Sequence, residues 1–185
     1  MVTFENLTVV SVFGASGAEP GDPEYAAGRV VGKQLAETGF AVATGGYGGV
    51  MEAACRGASD AGGVTIGVTA PTVFPGRSGA NPWVQHEIPA DDLIERIAIM
   101  MKMSAAFIAM PGSIGTLAEL IVAWNLAFVA PLAGRQFGPV VAVGETWKAV
   151  VPALATQLDT KGELVTVVED AGAAVAAIVA RLGAG

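Results

Sequence analysis

The amino-acid sequence predicts an α/β fold with a mostly parallel sheet, and two observations carry this prediction. Apolar runs that suit buried strands alternate with helix-like segments, the order typical of parallel sheets covered by helices. Three glycine-rich segments, at 14–17, 44–49 and 112–116, each follow an apolar run. Because ligands gather at the carboxyl ends of parallel strands, we expect all three segments at one edge of the sheet. The length of 185 residues fits a single domain over residues 1–185.

The first half of the chain contains three expected strands and two expected helices. A β-rich run at 8–13 is the first strand. Asp22 and Pro23 are typical of a helix start, with aspartate as the cap and proline at the first helical position. Gly39 is a natural stop for this helix after about residue 38. The elements that follow are a strand at 40–43, a helix at 50–61 and a strand at 64–68.

The second half opens on a long irregular stretch over 69–90, and loops of this length in compact domains are often functional. Part of it, 84–88, has the pattern of a short strand. The later helices are expected at 91–103, 116–129, 146–158 and 171–182, and the later strands at 105–110, 139–143 and 164–168.

The composition disfavours several classes of function. The net charge is −7 and the ten basic residues form no run, which argues against extended nucleic-acid binding. We find no apolar run of the roughly 18 residues that a membrane span needs, and residues 1–12 lack the basic start of a secretory signal. We therefore expect a cytoplasmic protein without membrane contact. Cys55 and His86 are single and offer neither a disulfide framework nor a metal site, and we expect no cofactor. The apolar content of 52% with 15% charged residues favours a homodimer or a higher homo-oligomer.

The third glycine-rich segment is the most informative part of the chain. Gly112 and Gly115 would let the backbone approach a ligand closely, and a helix expected to open at about Thr116 would aim its free N–H groups at an anion. Ser113 and Thr116 add hydroxyl donors. We therefore expect a phosphate site, although a tight turn without a ligand fits the same residues, and Thr116 also suits the role of helix cap.

A carboxylate and an arginine are expected beside this phosphate site. Glu119 falls in the first turn of the expected helix, and a carboxylate suits ribose hydroxyls or a developing positive charge better than phosphate. Arg96 lies about five residues, or about 7 Å, into the preceding helix, a distance that its side chain can span. We expect Arg96 and Glu119 to meet beside Gly112, the alternative being a solvated surface arginine.

The second glycine-rich segment, 44–49, is neither a Walker A motif nor the dinucleotide fingerprint. Its glycines indicate close approach of the backbone to a ligand or to a neighbouring loop; they are Gly45, Gly46, Gly48 and Gly49. Glu52 could bind ribose or merely complement the helix dipole. Tyr47 and Trp83 could stack on a base or pack in the core. Structural roles are expected for Cys55, inside a helix, and for His86.

The glycine-rich segments resemble the LONELY GUY (LOG) family, whose motifs read GGGxxGLM and PGGxGTxxE. The corresponding stretches here are 45–51 and 111–119, and the resemblance extends from about residue 9 to the end of the Thr116 helix. It implies a Rossmann-like three-layer αβα fold, usually dimeric. It also implies hydrolysis of a nucleoside 5′-monophosphate, in plants and microbes often a cytokinin precursor. The chain departs from the family motifs at several positions, which are Thr44, Glu52, Ile97 and Ser113.

The resemblance assigns roles by position. Glu119 matches the catalytic glutamate, and Arg96 matches an arginine that the family places before the PGG strand. The 5′-phosphate would be held by Gly112, Ser113, Gly115 and Thr116, and Gly14 and Ser16 would line the nucleotide pocket. Older labels call such proteins lysine decarboxylases, but no lysine falls in a loop at the expected site. The four lysines are Lys33, Lys102, Lys148 and Lys161.

Three hypotheses follow for the function. The first is a phosphoribohydrolase that releases free base and ribose 5-phosphate from an AMP-like nucleotide. The second is a carrier or sensor that binds a nucleotide or a phosphorylated cofactor without turnover, as in the related molybdenum-cofactor carrier. The third is a structural oligomer. The substitutions at Thr44, Ile97 and Ser113 suit the second hypothesis.

Overall fold

The computed structural model describes residues 3–77 and 79–183, and it places a mixed sheet between two layers of helices. The strands are β1 (Thr3–Phe4), β2 (Leu7–Phe13), β3 (Ala41–Thr44), β4 (Thr65–Thr69), β5 (His86–Pro89), β6 (Ala106–Ala109), β7 (Val140–Val143) and β8 (Val165–Val168). The helices are α1 (Pro23–Glu37), α2 (Val50–Asp60), α3 (Leu93–Met103), α4 (Ile114–Val129), α5 (Glu145–Gln157) and α6 (Ala171–Leu182). The predicted Rossmann-like three-layer αβα fold is confirmed.

The sheet runs in the order β5-β4-β3-β2-β6-β7-β8, and these seven strands are parallel. The two-residue β1 adds to β2 in antiparallel register. The chain moves outward in one direction from β2 and in the other from β6. Such a switch point opens a crevice at the carboxyl ends of the two strands, where ligands bind in open α/β sheets. The first and third glycine-rich segments begin at this crevice.

Apolar clusters lie on both faces of the sheet, and the two larger ones lie under the helices. Val12, Leu35 and Ile108 belong to the cluster under α1, α2 and α6. Phe107 and Trp124 belong to the cluster under α3, α4 and α5. Because both faces are covered, the central strands are buried along nearly their whole length, as expected for parallel strands.

The expected elements are confirmed, with ends that differ by one or two residues, and one difference affects the site. Helix α4 begins at Ile114 instead of Thr116, with Ser113 at the cap position. Its first two residues are exposed, with Ile114 at 78%, so the buried apolar face of the helix begins only later. The expectations that Thr116 caps the helix and that Glu119 lies in its first turn are therefore wrong. Glu119 lies in the second turn.

Local features outside the predicted elements are the strand β1 and two 3₁₀ turns, Ala130–Ala133 and Gly162–Leu164. The β1–β2 hairpin turns through Glu5 and Asn6, both with positive φ. Asp22 precedes α1 as expected, but its carboxylate accepts the N–H of Glu19 instead of a helical N–H.

By length and composition, Ile114–Ala133 is apolar enough to cross a membrane, which the sequence reading did not anticipate. In the fold, the buried side chains of this helix pack on the sheet, among them Leu120, Ala123 and Trp124. One third of the segment is buried in the fold, and the rest of its apolar surface is partly or fully exposed.

Candidate functional site

The three glycine-rich loops meet at the carboxyl edge of the sheet, and Ala15 links them. Its N–H donates to the carbonyl of Pro111 at 3.1 Å, and its own carbonyl accepts the N–H of Val50 at 2.8 Å. The loop after β2 is thereby bonded to the loop after β6 and to the start of α2. The common edge expected from the sequence is confirmed.

Several of the glycines bring one loop against another. Gly49 has a φ of 75°, and a Cβ there would overlap the carbonyl oxygen of Ala15. A Cβ on Gly14 would lie 2.5 Å from Val50 Cγ1, and one on Gly46 would lie 2.8 Å from Thr69 Cγ2. For Gly46 and Gly49, the structure favours approach to a neighbouring element, the alternative that the sequence left open. Gly14 packs against Val50 at the start of α2, and its expected place in a nucleotide pocket stays a prediction.

The start of α4 presents the most open backbone of the edge. Ser113, Ile114 and Gly115 are exposed, and no atom lies within 4 Å of the position that a Cβ on Gly115 would take. The first N–H groups of a helix have no partner within the helix and can meet an anion. Thr116 is buried, and its side chain fills the space beside Gly112, where a Cβ would overlap it. Ser16 and Gly48 lie at the margin, Ser16 exposed and Gly48 half-buried.

Arg96 and Glu119 form a buried pair beside these loops. The Nη1 of Arg96 is 3.4 Å from Oε1 of Glu119, and the two side chains are 9% and 11% exposed. Arg96 is not a solvated surface residue. It crosses from α3 to the loop edge, and its Nε donates to the carbonyl of Val68 at 2.7 Å.

The absence of a side chain at Gly45 leaves room for the guanidinium of Arg96. A Cβ on Gly45 would overlap Nη2 of Arg96 and would lie 2.6 Å from Sδ of Met51. The same Nη2 is 3.7 Å from that sulfur. The arginine is thus held between the second glycine-rich loop and the start of α2, with one edge toward Glu119.

Burial controls the electrostatics of this pair. Desolvation raises the pKa of Glu119 to about 7, while the charge of Arg96 acts in the opposite direction. Desolvation also lowers the pKa of Arg96. A carboxyl that titrates near neutral pH can exchange a proton or stabilise a cation, depending on its protonation state.

Tyr47 is a structural residue of the second loop and is not free to stack on a base. Its hydroxyl accepts the N–H of Ala70 at 2.8 Å, and the residue is buried. Its ring meets Phe74 edge to face at 5.5 Å, and the guanidinium of Arg77 lies 4.6 Å from the centroids of both rings. The stacking role considered for Tyr47 is therefore corrected.

Asn81 is a residue whose role at the site the sequence did not reveal. Its Nδ2 donates to the carbonyls of Gly46 and Tyr47, each at 3.1 Å, and its own N–H donates to Gly46 at 2.7 Å. It fixes the second glycine-rich loop from the long β4–β5 connection. The only signal for this role in the sequence was the length of that connection.

The remaining candidates have structural partners. Glu52 accepts the hydroxyl of Tyr25 at 2.8 Å. Cys55 is buried, and burial raises the pKa of its thiol to about 11. His86 begins β5 at the opposite edge of the sheet, where it faces Glu5 at 3.3 Å. Trp83 is half-buried, with the guanidinium of Arg56 5.0 Å from its ring.

Comparison with known proteins relates the chain to one family and to several solved structures. Residues 7–132 match the model of the SLOG cluster4 family. A protein of Mycobacterium tuberculosis named cytokinin riboside 5′-monophosphate phosphoribohydrolase is 35% identical over 114 residues, which are 61% of this chain and 58% of that protein. The relationship to the LOG family expected from the motifs is confirmed.

The similar solved structures include molybdenum cofactor proteins. The molybdenum cofactor binding protein of Rippkaea orientalis superposes with a TM-score of 0.75 at 22% identity, covering 95% of this chain and 97% of that one. The molybdenum cofactor carrier protein of Chlamydomonas reinhardtii superposes with a TM-score of 0.69 at 28% identity, covering 92% of this chain and 96% of that one. Both likenesses support the fold.

Proposed function

The chain belongs to the SLOG cluster4 family, and we propose that it hydrolyses the N-glycosidic bond of a nucleoside 5′-monophosphate to free base and ribose 5-phosphate. One observation carries the proposal, namely the buried pair of Arg96 and Glu119, with Glu119 in the helix turn that follows the open start of α4. A site that only held phosphate would have no use for a desolvated carboxylate, which repels the ligand's charge.

The phosphate has a place at the start of α4. The exposed N–H groups of its first turn and the hydroxyl of Ser113 would take the 5′-phosphate, with the helix dipole favouring the anion. Binding at this remote group would position the ribose over Glu119. Energy from the non-reacting phosphate can thus be used to orient the sugar for cleavage.

Glu119 would act on the sugar itself. Breaking the bond between C1′ and the base gives the ribose oxocarbenium character, as in glycoside hydrolysis. The carboxylate would stabilise that charge or take a proton from the attacking water, whose oxygen then bonds to C1′. Arg96 would favour the ionised form of the carboxylate and balance the negative charge that develops on the departing base.

The second candidate is a carrier of a phosphorylated ligand, and one observation favours it. The Chlamydomonas molybdenum cofactor carrier protein shares 28% identity along 92% of this chain, a longer match than the hydrolase relative gives. Ser113 also replaces a glycine of the hydrolase motif. In this alternative, the same loops bind the ligand and no bond is cleaved.

Release of base separates the two candidates. AMP, GMP, CMP, UMP and isopentenyl-AMP are incubated with the protein, and free base is quantified by chromatography. The hydrolase predicts release that is lost in Glu119→Gln and kept in Glu163→Gln, a matched change before β8 at the opposite edge of the sheet. Nucleotide binding without release would support the carrier, and equal release by the wild type and Glu119→Gln would contradict the mechanism.

We also propose a homodimer, in keeping with the apolar surface of α3 and α4. The exposed apolar side chains of these helices and the following turn are Leu93, Ile94, Ile114, Ile121, Phe128 and Leu132. An apolar face of this kind is typical of an interaction surface. Light scattering after size exclusion should give twice the chain mass, and Ile121→Glu should shift the protein toward monomer.

A cytoplasmic location remains part of the proposal and suits the buried thiol of Cys55, which forms no disulfide in the described residues.

A further inference from the structure

Arg77 is a second arginine at the margin of the site, and neither the motifs nor the mechanism uses it. Its guanidinium lies 4.6 Å from the ring centroids of Tyr47 and Phe74, which meet at 77°. Two guanidinium groups therefore lie near the ring of Tyr47, because that of Arg96 is 5.8 Å from the same centroid. The arrangement places an exposed arginine near the buried one, with Tyr47 close to both.

Arg77 forms no ion pair with any carboxylate among residues 3–77 and 79–183. It is exposed, and its positive charge also depresses the pKa of Arg96. The two rings restrict the guanidinium, since cations are attracted to aromatic faces. The result is a set of N–H donors that is held in place and open to a ligand.

The loop that carries Arg77 is anchored to the site. The hydroxyl of Thr72 donates to the carbonyl of Asp91, just before α3, which is the helix that carries Arg96. Further along the connection, Asn81 holds the backbone of Gly46 and Tyr47. Arg77 is thus tied to the second glycine-rich loop and lies on the opposite side of the site from the start of α4.

The sheet order gives the separation of these two sides. The loop with Tyr47 follows β3 and the phosphate segment follows β6, two strands away in the order β3-β2-β6. At about 4.8 Å per strand, the two loops begin about 10 Å apart. A nucleotide whose phosphate lies at α4 and whose ribose lies over Glu119 would extend its base toward Arg77.

We propose that Arg77 selects a heterocycle with a carbonyl oxygen beside a ring-nitrogen acceptor, as in a 6-oxopurine, over the 6-amino counterpart. This inference rests on the proposed nucleotide site. A guanidinium has five donors and no acceptor, so it pairs with two adjacent acceptors and is mismatched to an amino group. The same pairing of arginine with O6 and N7 is the commonest specific contact to guanine in nucleic-acid recognition.

The test compares IMP with AMP, which differ in whether the 6-position is an acceptor or a donor. Binding is measured by calorimetry on the full chain carrying Glu119→Gln, which removes turnover. We expect IMP to bind about tenfold more tightly than AMP. Adding Arg77→Met should weaken the binding of IMP and bring the ratio of the AMP and IMP dissociation constants to about one. Arg77→Lys should leave part of the preference for IMP.

The matched control is Arg56→Met, which removes the arginine that lies over the ring of Trp83. It should leave the ratio of the two dissociation constants unchanged. Equal binding of IMP and AMP by the parent, or a preference that persists in Arg77→Met, would overturn the role of Arg77 while the nucleotide site stands. If neither nucleotide nor inorganic phosphate binds, the proposed function fails as well.

Discussion

The carboxylate of Glu119 and the guanidinium of Arg96 face each other at 3.4 Å, and both side chains are nearly inaccessible to water. The contact is at the long end of hydrogen-bond distances and is single, not bidentate. Attraction at this distance does not offset the desolvation of the carboxylate, and the pKa of Glu119 is therefore raised to about 7. The pair thus keeps a carboxyl group near its titration point, which is a property of catalytic sites more than of structural ion pairs.

The first prediction concerns catalysis. Glu119→Gln keeps the shape of the side chain but removes the charge, and base release should fall by at least about 100-fold. Nucleotide affinity should change little, because the phosphate is held at the start of α4. Initial rates by chromatography and calorimetry on the same preparations measure the two quantities. A parallel loss of affinity and rate would mean that Glu119 serves binding.

The second prediction is a pH–rate profile. If the ionised carboxylate stabilises the oxocarbenium charge, kcat/KM should rise with pH and level off above about 7, the pKa of buried Glu119. The measurement is the rate at low substrate concentration between pH 5 and 9. A rate that falls through this range would instead mean that the protonated carboxylic acid is the active form, which donates its proton to the departing base.

The third prediction concerns stability and pH. The folded-state pKa of Glu119, about 7, lies above its ordinary value of 4.5, so the folded state binds more protons between these values. The free energy of unfolding should therefore fall as pH rises from about 4.5 to about 7, by up to about 3 kcal/mol from this group, and then level off. Urea denaturation of the wild type and of Glu119→Gln measures the difference, which should be largest at pH 8 and favour the variant. Equal stability of the two proteins at pH 5 and pH 8 would contradict the raised pKa.

The fourth prediction concerns the position of the Arg96 side chain. Gly45→Ala introduces a Cβ into the volume of the guanidinium, which must move away from Glu119. We expect a loss of about 1–3 kcal/mol in stability together with a strong loss of base release. Gly17→Ala is the control, because no atom lies within 4 Å of the added carbon. Wild-type activity in Gly45→Ala would show that the position of Arg96 is unimportant.

The sequence predicted the site's framework because that framework depends on local patterns. Apolar runs and glycines located the loops, and the one-edge rule for parallel strands brought Arg96 toward Glu119. The start of α4 at Ile114 was missed because an exposed apolar residue followed by glycine does not fit the amphipathic period of a helix. The roles of Tyr47 and Asn81 depend on how the β4–β5 connection folds over the second loop, and no local pattern encodes such packing.

The fifth prediction examines that connection. Asn81→Ala removes the Nδ2 donor that holds the carbonyls of Gly46 and Tyr47. The buried carbonyl of Tyr47 loses this donor, whereas that of Gly46 keeps the backbone N–H of residue 81. The loss should cost about 1–3 kcal/mol, and the loosened loop should weaken nucleotide binding. Asn125→Ala, an exposed position on α4, is the matched control for the loss of an asparagine side chain. Chemical denaturation and calorimetry measure both effects. Stability and affinity equal to those of the control would show that the second loop holds its shape without Asn81.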